Sequence, residues 1–404
     1  MNKTYVFLSH PVAGIGGAQL YVRDKKAYLE KEGYKVIVVS GYEGENIVIS
    51  EFVQYRNNVV PELQNKPQVF SRNRRNKVVE VLCKLVPNSG KVIIESSDLN
   101  SGSWGELFAA RTGGKNIIFC LSEAFPKLTG GERDFLQFKL MRNELYGIHP
   151  NTISLLLGRR IDNSEGFYWK AGAKSDAVDV PNEILDTLEK KDYNLGSIGR
   201  YDKPCVPQIL QGFLDFAIQH PTNNINIILC IGEHTAEIEK EIENKFSRAE
   251  NISLYVFGPL VPLPKSLFMI CDVFVSTAGC AGISWRLNVP TITMDVNDHK
   301  AIGILGLSTQ STIYRKDEEP KELTDLLDDV LIKKVCAGKT LFQVERNVDA
   351  EYEKQLKAVL SDEGVSYYDV SGMTPSARVL LQRFIMLFGK KFYTICKQRF
   401  IKKA

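Results

Sequence analysis

Short, almost unbroken apolar runs recur along the chain, each followed by a loop and then by residues with helical spacing. The first run is Tyr5 to Leu8. The loop Gly14-Ile15-Gly16-Gly17 follows it and opens a helix that sets Ala18, Val22 and Leu29 on one face and repeats Tyr21 at Tyr28. Gly33 closes that helix, and KVIVVS (35–40) is the second run. Strand, loop, helix and strand in this order make a βαβ unit, which implies a parallel sheet with a right-handed crossover. KVIIES (91–96) and KNIIFCLSE (115–123) are further buried strands of the same sheet.

After the turn Val180-Pro181-Asn182 the alternation restarts. NLGSIGR (194–200) is a strand with its loop, 208–219 a helix, and NINIILCIGE (224–233) a strongly apolar strand. A charged helix (235–245), the strand SLYVFG (253–258), a helix near 265–270, and the strands DVFVSTAG (272–279) and VPTITMD (289–295) complete the series. Two α/β domains are therefore expected, 1–182 and 183–365, with a helical basic tail over 366–404.

A chain of 404 residues with 44% hydrophobic and 25% charged positions has a globular make-up and is too long for one ordinary core. The net charge of +3 gives no reason to expect a nucleic-acid partner. Its distribution says more. No acid follows Asp369, whereas Arg378, Arg383, Lys390, Lys391, Lys397, Arg399, Lys402 and Lys403 do, so the basicity is local. The eight cysteines are scattered singly, without a CxxC pair or a Cys/His cluster, as expected of reduced cytoplasmic thiols. The run Tyr5 to Leu8 is too short for a signal-peptide core, and no stretch reaches the ~18 apolar residues of a membrane span.

Three loops can carry chemistry. In His10-Pro11-Val12-Ala13-Gly14-Ile15-Gly16-Gly17-Ala18-Gln19 the glycines allow close backbone approach, and the helix start favours an anion such as phosphate. As a dinucleotide fingerprint it is poor, since Gln19 holds the third glycine position and the second strand ends in Ser40 instead of an acid. Ile198-Gly199-Arg200-Tyr201-Asp202-Lys203 puts two cations at a strand's carboxyl end, where they can neutralise a diphosphate leaving group. In Ser276-Thr277-Ala278-Gly279-Cys280-Ala281-Gly282 small residues leave backbone N–H groups open to a second phosphate or a sugar. The plain alternatives are a tight structural turn, a solvated loop with an Arg/Asp surface pair, and a helix start without a ligand.

Taken in order, these segments resemble the retaining glycosyltransferases of family 4. The resemblance rests on the GGAQ loop, the PN turn, GR followed by Lys, the strand end Ile231-Gly232, FGPL (257–260), and DVFVSTAG with a later VP, over roughly residues 5 to 300. It implies a GT-B architecture, two Rossmann-like parallel-sheet domains facing a cleft, with a nucleotide-sugar donor bound mainly by the second domain. Gly16 and Gly17 would face the donor's phosphates, Arg200 and Lys203 would hold the diphosphate, and Gly232, Gly279, Cys280 and Ala281 would line the site. The backbone from Phe257 to Leu260 would meet the base. The family usually carries two glutamates across the helix after the STAG-like strand. Here the first position is Gly279, and no acid stands between Asp272 and Asp295. Asp295, Asp298 and His299 could supply substitute polar contacts, or form a polar turn. Glu123 is a candidate for a sugar or acceptor hydroxyl, or an exposed loop carboxylate. The mechanism implied needs no enzyme nucleophile, no metal and no cofactor beyond the nucleotide sugar itself.

In the tail, Thr374-Pro375 is a helix start, with Thr as cap and Pro at the first position. Beyond it Phe384, Ile385, Phe388, Phe392 and Ile395 fall on one side and Arg383, Lys390 and Lys397 on the other. Such a helix can adsorb to an anionic membrane from the cytoplasmic side, or pack back on the first domain. Membrane contact would suit a lipid-linked saccharide acceptor in surface polysaccharide synthesis. Two other classes remain beside the glycosyltransferase: a GT-B-shaped binding or partner subunit without transfer activity, and, more distantly, a nicotinamide-dependent dehydrogenase.

Overall fold

Runs of β-branched and aromatic residues buried on both faces favour central parallel strands. The computed structural model describes all residues except 1–2, 9–11, 43–46, 87–89, 122–126, 163, 175–176, 233, 342–346, 362–365 and 387–404. The chain starts with β1 (Lys3–Leu8), α1 (Gly17–Lys31), β2 (Tyr34–Val39), α2 (Arg72–Leu85), β3 (Lys91–Ser96), α3 (Leu99–Thr112), β4 (Lys115–Cys120), α4 (Gly130–Met141), β5 (Leu145–Gly147) and α5 (Thr152–Leu157). The strands pair in parallel in the order β2-β1-β3-β4-β5. The strands expected at 5–8, 35–40, 91–96 and 115–123 are all present; β5, only three residues long, gave no readable run.

A second series follows: α6 (Glu183–Thr187), β6 (Tyr193–Gly199), α7 (Val206–Gln219), β7 (Ile225–Ile231), α8 (Ala236–Phe246), β8 (Ile252–Phe257), α9 (Ser266–Met269), β9 (Val273–Ser276), α10 (Ala278–Arg286), β10 (Thr291–Met294), β11 (Ala301–Ile304) and α11 (Leu323–Leu331). Its sheet runs β11-β10-β9-β6-β7-β8 and is parallel except for β11, which joins β10 antiparallel. Phe213, Ile227, Val273, Ile292 and Leu327, all buried, belong to the core on one side of it.

The chain then returns to the first unit with α12 (Val348–Leu360) and α13 (Ala377–Met386). The two units comprise 1–173 with 347–404, and 174–346. The division thus differs from the expected 1–182, 183–365 and 366–404. Asn182 caps α6 inside the second unit through the Leu185 N–H, 3.1 Å away. Residues 347–360 leave the second unit because Val348, Tyr352, Leu356 and Val359 recur at helical spacing and pack with Tyr5, Tyr21 and Phe119 of the first. The last helix starts two residues later than Thr374-Pro375 predicts, with Ser376 Oγ accepting from the Val379 N–H. The tail beyond Met386, with Phe388, Phe392, Ile395 and most of its cations, lies outside the described residues.

A polar knot joins α1, β3 and α12. Lys25 and Glu95 are sealed from solvent, at 1% and 0% exposure, and pair at 2.6 Å. Lys25 Nζ also donates to Tyr21 Oη and Gln355 Oε1, each at 2.8 Å, and Glu95 accepts from the hydroxyls of Tyr5 (2.5 Å) and Tyr21 (2.9 Å). The faces of Tyr5, Tyr21 and Trp169 surround the ammonium at 5.1–5.4 Å. Burial pushes the Lys25 amine below the usual lysine range, opposed by Glu95, and pushes both tyrosines up. A second buried set anchors the chain after α12: Lys139 bridges Glu106 (2.8 Å) and Glu144 (2.5 Å), while Glu106 accepts the Tyr368 N–H at 2.9 Å.

Truncating one member of a buried pair leaves an uncompensated charge, a cost of about 3–5 kcal/mol. Lys25→Met and Glu95→Leu should each lower unfolding free energy by about that amount in urea titrations at pH 7. The double variant should lose much less than their sum; an additive loss would show that the two groups do not act as a pair.

Candidate functional site

In an open parallel sheet, ligands collect beyond the strand carboxyl ends where neighbouring crossovers diverge to opposite faces. The two strand orders place that point between β1 and β3 in the first unit and between β6 and β9 in the second. All three expected loops start at those positions.

In the first unit the glycine loop joins β1 to α1. Gly14 has φ +72°, a left-handed conformation suited to glycine. Gly16 is the N-cap of α1 and supplies no side-chain acceptor. Gly17 faces open space, with nothing within 4 Å of where a Cβ would stand. Gln19 donates from Nε2 to the Ala13 carbonyl at 3.2 Å, so the residue that spoils the dinucleotide fingerprint ties the loop to its helix. Beyond β3, by contrast, Asp98 and Ser101 form a reciprocal capping box that occupies the α3 start.

In the second unit Ser276 at the end of β9 donates to the Ile198 carbonyl of β6 at 2.9 Å, joining the two loops at their base. Thr277, the N-cap of α10, makes no side-chain cap. Ala278 is held at φ +55° and donates its N–H to the Thr312 carbonyl at 2.8 Å. A non-glycine residue in the left-handed region carries strain of order 1 kcal/mol. The next N–H groups, those of Gly279 and Cys280, stand in the uncapped first turn, positive by virtue of the helix dipole. Gly279 is exposed, with space where a side chain would be. Ala281 is fully buried.

Lys203 is half-buried and makes no ion pair or side-chain hydrogen bond among the described residues. Its charge opposes the rise of the Cys280 and Cys205 thiols, so it lies within electrostatic range of both. Burial pushes the Cys280 thiol up, with Lys203 and the Ser276 hydroxyl opposing. Arg200 is exposed; its Nε lies 3.2 Å from Asp202, and its Cγ lies 3.2 Å from where a Cβ on Gly232 would stand. The Arg/Asp surface pair and the approach to Gly232 are therefore both present. Phe257 is 8% exposed and packs in the core, leaving its backbone for any contact, while Cys230 Sγ donates to the neighbouring Gly258 carbonyl at 3.3 Å. Burial pushes Cys230 up to about 12.

The substitute contacts fare differently. Asp295 is 3% exposed and its carboxylate is already used: Oδ1 accepts the N–H groups of Asn297 (2.7 Å) and Asp298 (3.4 Å), and Oδ2 that of Arg315 (2.6 Å). Asp298 pairs with Arg315 at 2.5 Å, which holds its carboxyl below the usual range. The polar-turn alternative therefore describes both acids. His299, at φ +62°, is partly exposed in the same turn. Glu123 lies outside the described residues. Sequence reasoning missed the Ser276 tie and Lys203's lack of an acidic partner among the described residues, which only tertiary contacts reveal.

No family model matches the chain, and no curated protein does. Solved structures do. A glycosyltransferase from Rickettsia africae ESF-5 shares 12% identity, over 97% of this chain and 98% of its own, with a TM-score of 0.57. Anabaena HepE, solved in complex with UDP and glucose, shares 12% identity over 89% of this chain and 100% of its own, with a TM-score of 0.58. A Listeria monocytogenes protein assigned as a UDP-N-acetylglucosamine 2-epimerase shares 12% identity over 89% and 96%, with a TM-score of 0.52. At such identities the likeness is one of fold: two Rossmann-like α/β domains of the GT-B kind.

Asp295→Ala would leave three backbone N–H groups without their acceptor. It should lower stability by about 3 kcal/mol and leave nucleoside diphosphate affinity unchanged. Intact stability with weakened binding in paired urea and calorimetric titrations would instead make Asp295 a ligand contact.

Proposed function

We propose that the chain is a glycosyltransferase that moves a sugar from a nucleotide-sugar donor to a saccharide or lipid-linked saccharide acceptor. The observation that carries this reading is the α10 start: its N-cap makes no side-chain bond, so the first-turn N–H groups of Gly279 and Cys280 stay open, and Lys203, a cation without an acidic partner among the described residues, lies within electrostatic range of Cys280. A diphosphate matches that set of donors in charge and geometry. The fold shared with the Rickettsia glycosyltransferase and with HepE, whose solved complex contains UDP and glucose, supports the same ligand class.

The resemblance to family 4 implies retaining, metal-independent transfer. The bond from the anomeric carbon to the diphosphate breaks as the acceptor oxygen bonds to the same face of that carbon, and the hydroxyl proton passes to a leaving phosphate oxygen. Negative charge grows on the diphosphate during this step. Lys203 and the α10 N–H groups stabilise it, and Arg200 adds a cation once it leaves Asp202. Gly232 and the 257–260 backbone serve the nucleoside. With Asp295 used internally, His299 is a polar side chain of that turn for the sugar.

A second reading, a binding or partner subunit without transfer activity, is favoured by one feature: the absence of acids from Gly279 through Met294, where the family has its glutamate pair. A panel of nucleotide sugars separates the two. Turnover of any donor, read as free nucleoside diphosphate and as glycosylated or epimerised product, supports an enzyme; a thermal shift without turnover supports the binding subunit. Lys203→Ala should weaken nucleoside diphosphate binding about tenfold or more, the loss of one charge-assisted contact. Arg200→Ala should weaken it less, and unchanged affinity in both variants would remove the diphosphate assignment.

A further inference from the structure

Away from the glycine loop, the first unit has a cavity of about 700 Å³ between α2, the end of α3 and the turn 369–372. Arg72 and Arg75, one turn apart at the start of α2, line it with Arg111 from α3. Arg383 of α13 faces Arg75 closely enough that, after burial, its charge and that of Arg72 push the Arg75 guanidinium below its usual range. None of these four guanidiniums makes an ion pair or a side-chain hydrogen bond among the described residues. Two carboxylates oppose them. Asp369 acts on Arg75 at longer range, but its oxygen accepts the N–H groups of Ser371 and Gly372 at 3.1 Å each; Glu80 lines the cavity. Four cations against two acids, with the rigid guanidinium forks unengaged, is an arrangement that an anion with several oxygens completes.

The surface beside the cavity narrows the choice of anion. On α13, Val379 is buried at 4% exposure, while Leu380, Leu381 and Phe384 are 51–58% exposed. Leu380 and Phe384 stand one turn apart, so the outward face of this helix is apolar, and the helix starts five residues after Gly372, which lines the cavity. No helix among the described residues is long and apolar enough to cross a membrane. An exposed apolar helix face flanked by cations matches the two layers of a bilayer surface, acyl chains beside phosphate headgroups.

We propose that this cavity seats the phosphate of an anionic phospholipid headgroup among Arg72, Arg75 and Arg111, with α13 laying Leu380, Leu381 and Phe384 into the adjoining acyl layer. The site therefore belongs to the folded domain and does not depend on the basic residues after Met386. It is independent of the donor reading, because the vesicle experiment uses no nucleotide.

Full-length protein should float with phosphatidylcholine vesicles containing phosphatidylglycerol and remain unbound with phosphatidylcholine alone. Each cation near an anionic surface contributes about fivefold in partitioning. Arg75→Gln with Arg111→Gln should therefore reduce flotation about 25-fold, and Leu380→Ser with Leu381→Ser about tenfold or more. Thermal unfolding and nucleoside diphosphate affinity of both variants should match the parent. Unchanged flotation in both variants would place adsorption in the residues after Met386 and overturn the proposal. Loss of inorganic phosphate binding in the arginine variant with flotation retained would also overturn it, making the site one for free phosphate.

Discussion

Each of the two sheets contains one pair of parallel strands whose crossovers leave to opposite faces, and the chain itself cannot fill the crevice beyond their carboxyl ends. That constraint brings the informative loops to two places. Between β1 and β3 it gathers the glycine loop and the capped start of α3. Between β6 and β9 it gathers Arg200, Lys203 and the start of α10, with Ser276 donating to the Ile198 carbonyl so that both loops share one base. Ser71, Asp98, Thr129, Thr235 and Asn347 satisfy their own helix starts; Gly16 and Thr277 leave theirs without a side-chain cap, and the starts of α5, α7, α9 and α11 lack one too. The strained Ala278 backbone after Thr277 adds a cost that a purely structural turn would not need.

The glycine loop is only as well placed as α1, and α1 is held from beneath. Lys25 sits two turns into that helix and pairs with Glu95 of β3 and with Gln355 of α12, so three elements distant in sequence meet at one ammonium. Burying this pair costs solvation, and Tyr21 Oη, Glu95 and Gln355 offset it by accepting the ammonium's three donors, while the Tyr5 and Tyr21 hydroxyls donate to the Glu95 carboxylate. What the arrangement adds is specificity. A lysine in the core excludes alternative registers of α1 against the sheet. Because Gln355 closes the knot, the returning chain is part of the first domain's core, and Lys139 with Glu106 extends the same attachment to Tyr368.

Most of this fold was legible in the chain because doubly buried strands are continuous apolar runs; β1, β2, β3, β4 and β6 to β10 stand where those runs are. What escaped were elements whose pattern is short or depends on a partner: β5 with three residues, β11 whose pairing is antiparallel, and α12, whose apolar face shows helical spacing but not which domain it covers. The loops of the candidate site were legible by position, since glycines and small residues at strand ends are local signals. Their chemistry was less so. Asp295 had the right type and place for a polar contact, yet its oxygens are used by Asn297, Asp298 and Arg315, one of them twenty residues away. Lys203 became informative because it has no acidic partner among the described residues, and no sequence window displays that.

The account turns on whether the uncapped α10 start receives a diphosphate. The most direct measurement is a crystal structure of the protein with the nucleoside diphosphate that binds best in a calorimetric panel of uridine, guanosine, adenosine and thymidine diphosphates. The expected result is a diphosphate within hydrogen-bonding distance of the Gly279 and Cys280 N–H groups and of Lys203 Nζ. A diphosphate bound elsewhere, or no binding by any of the four, would contradict the account.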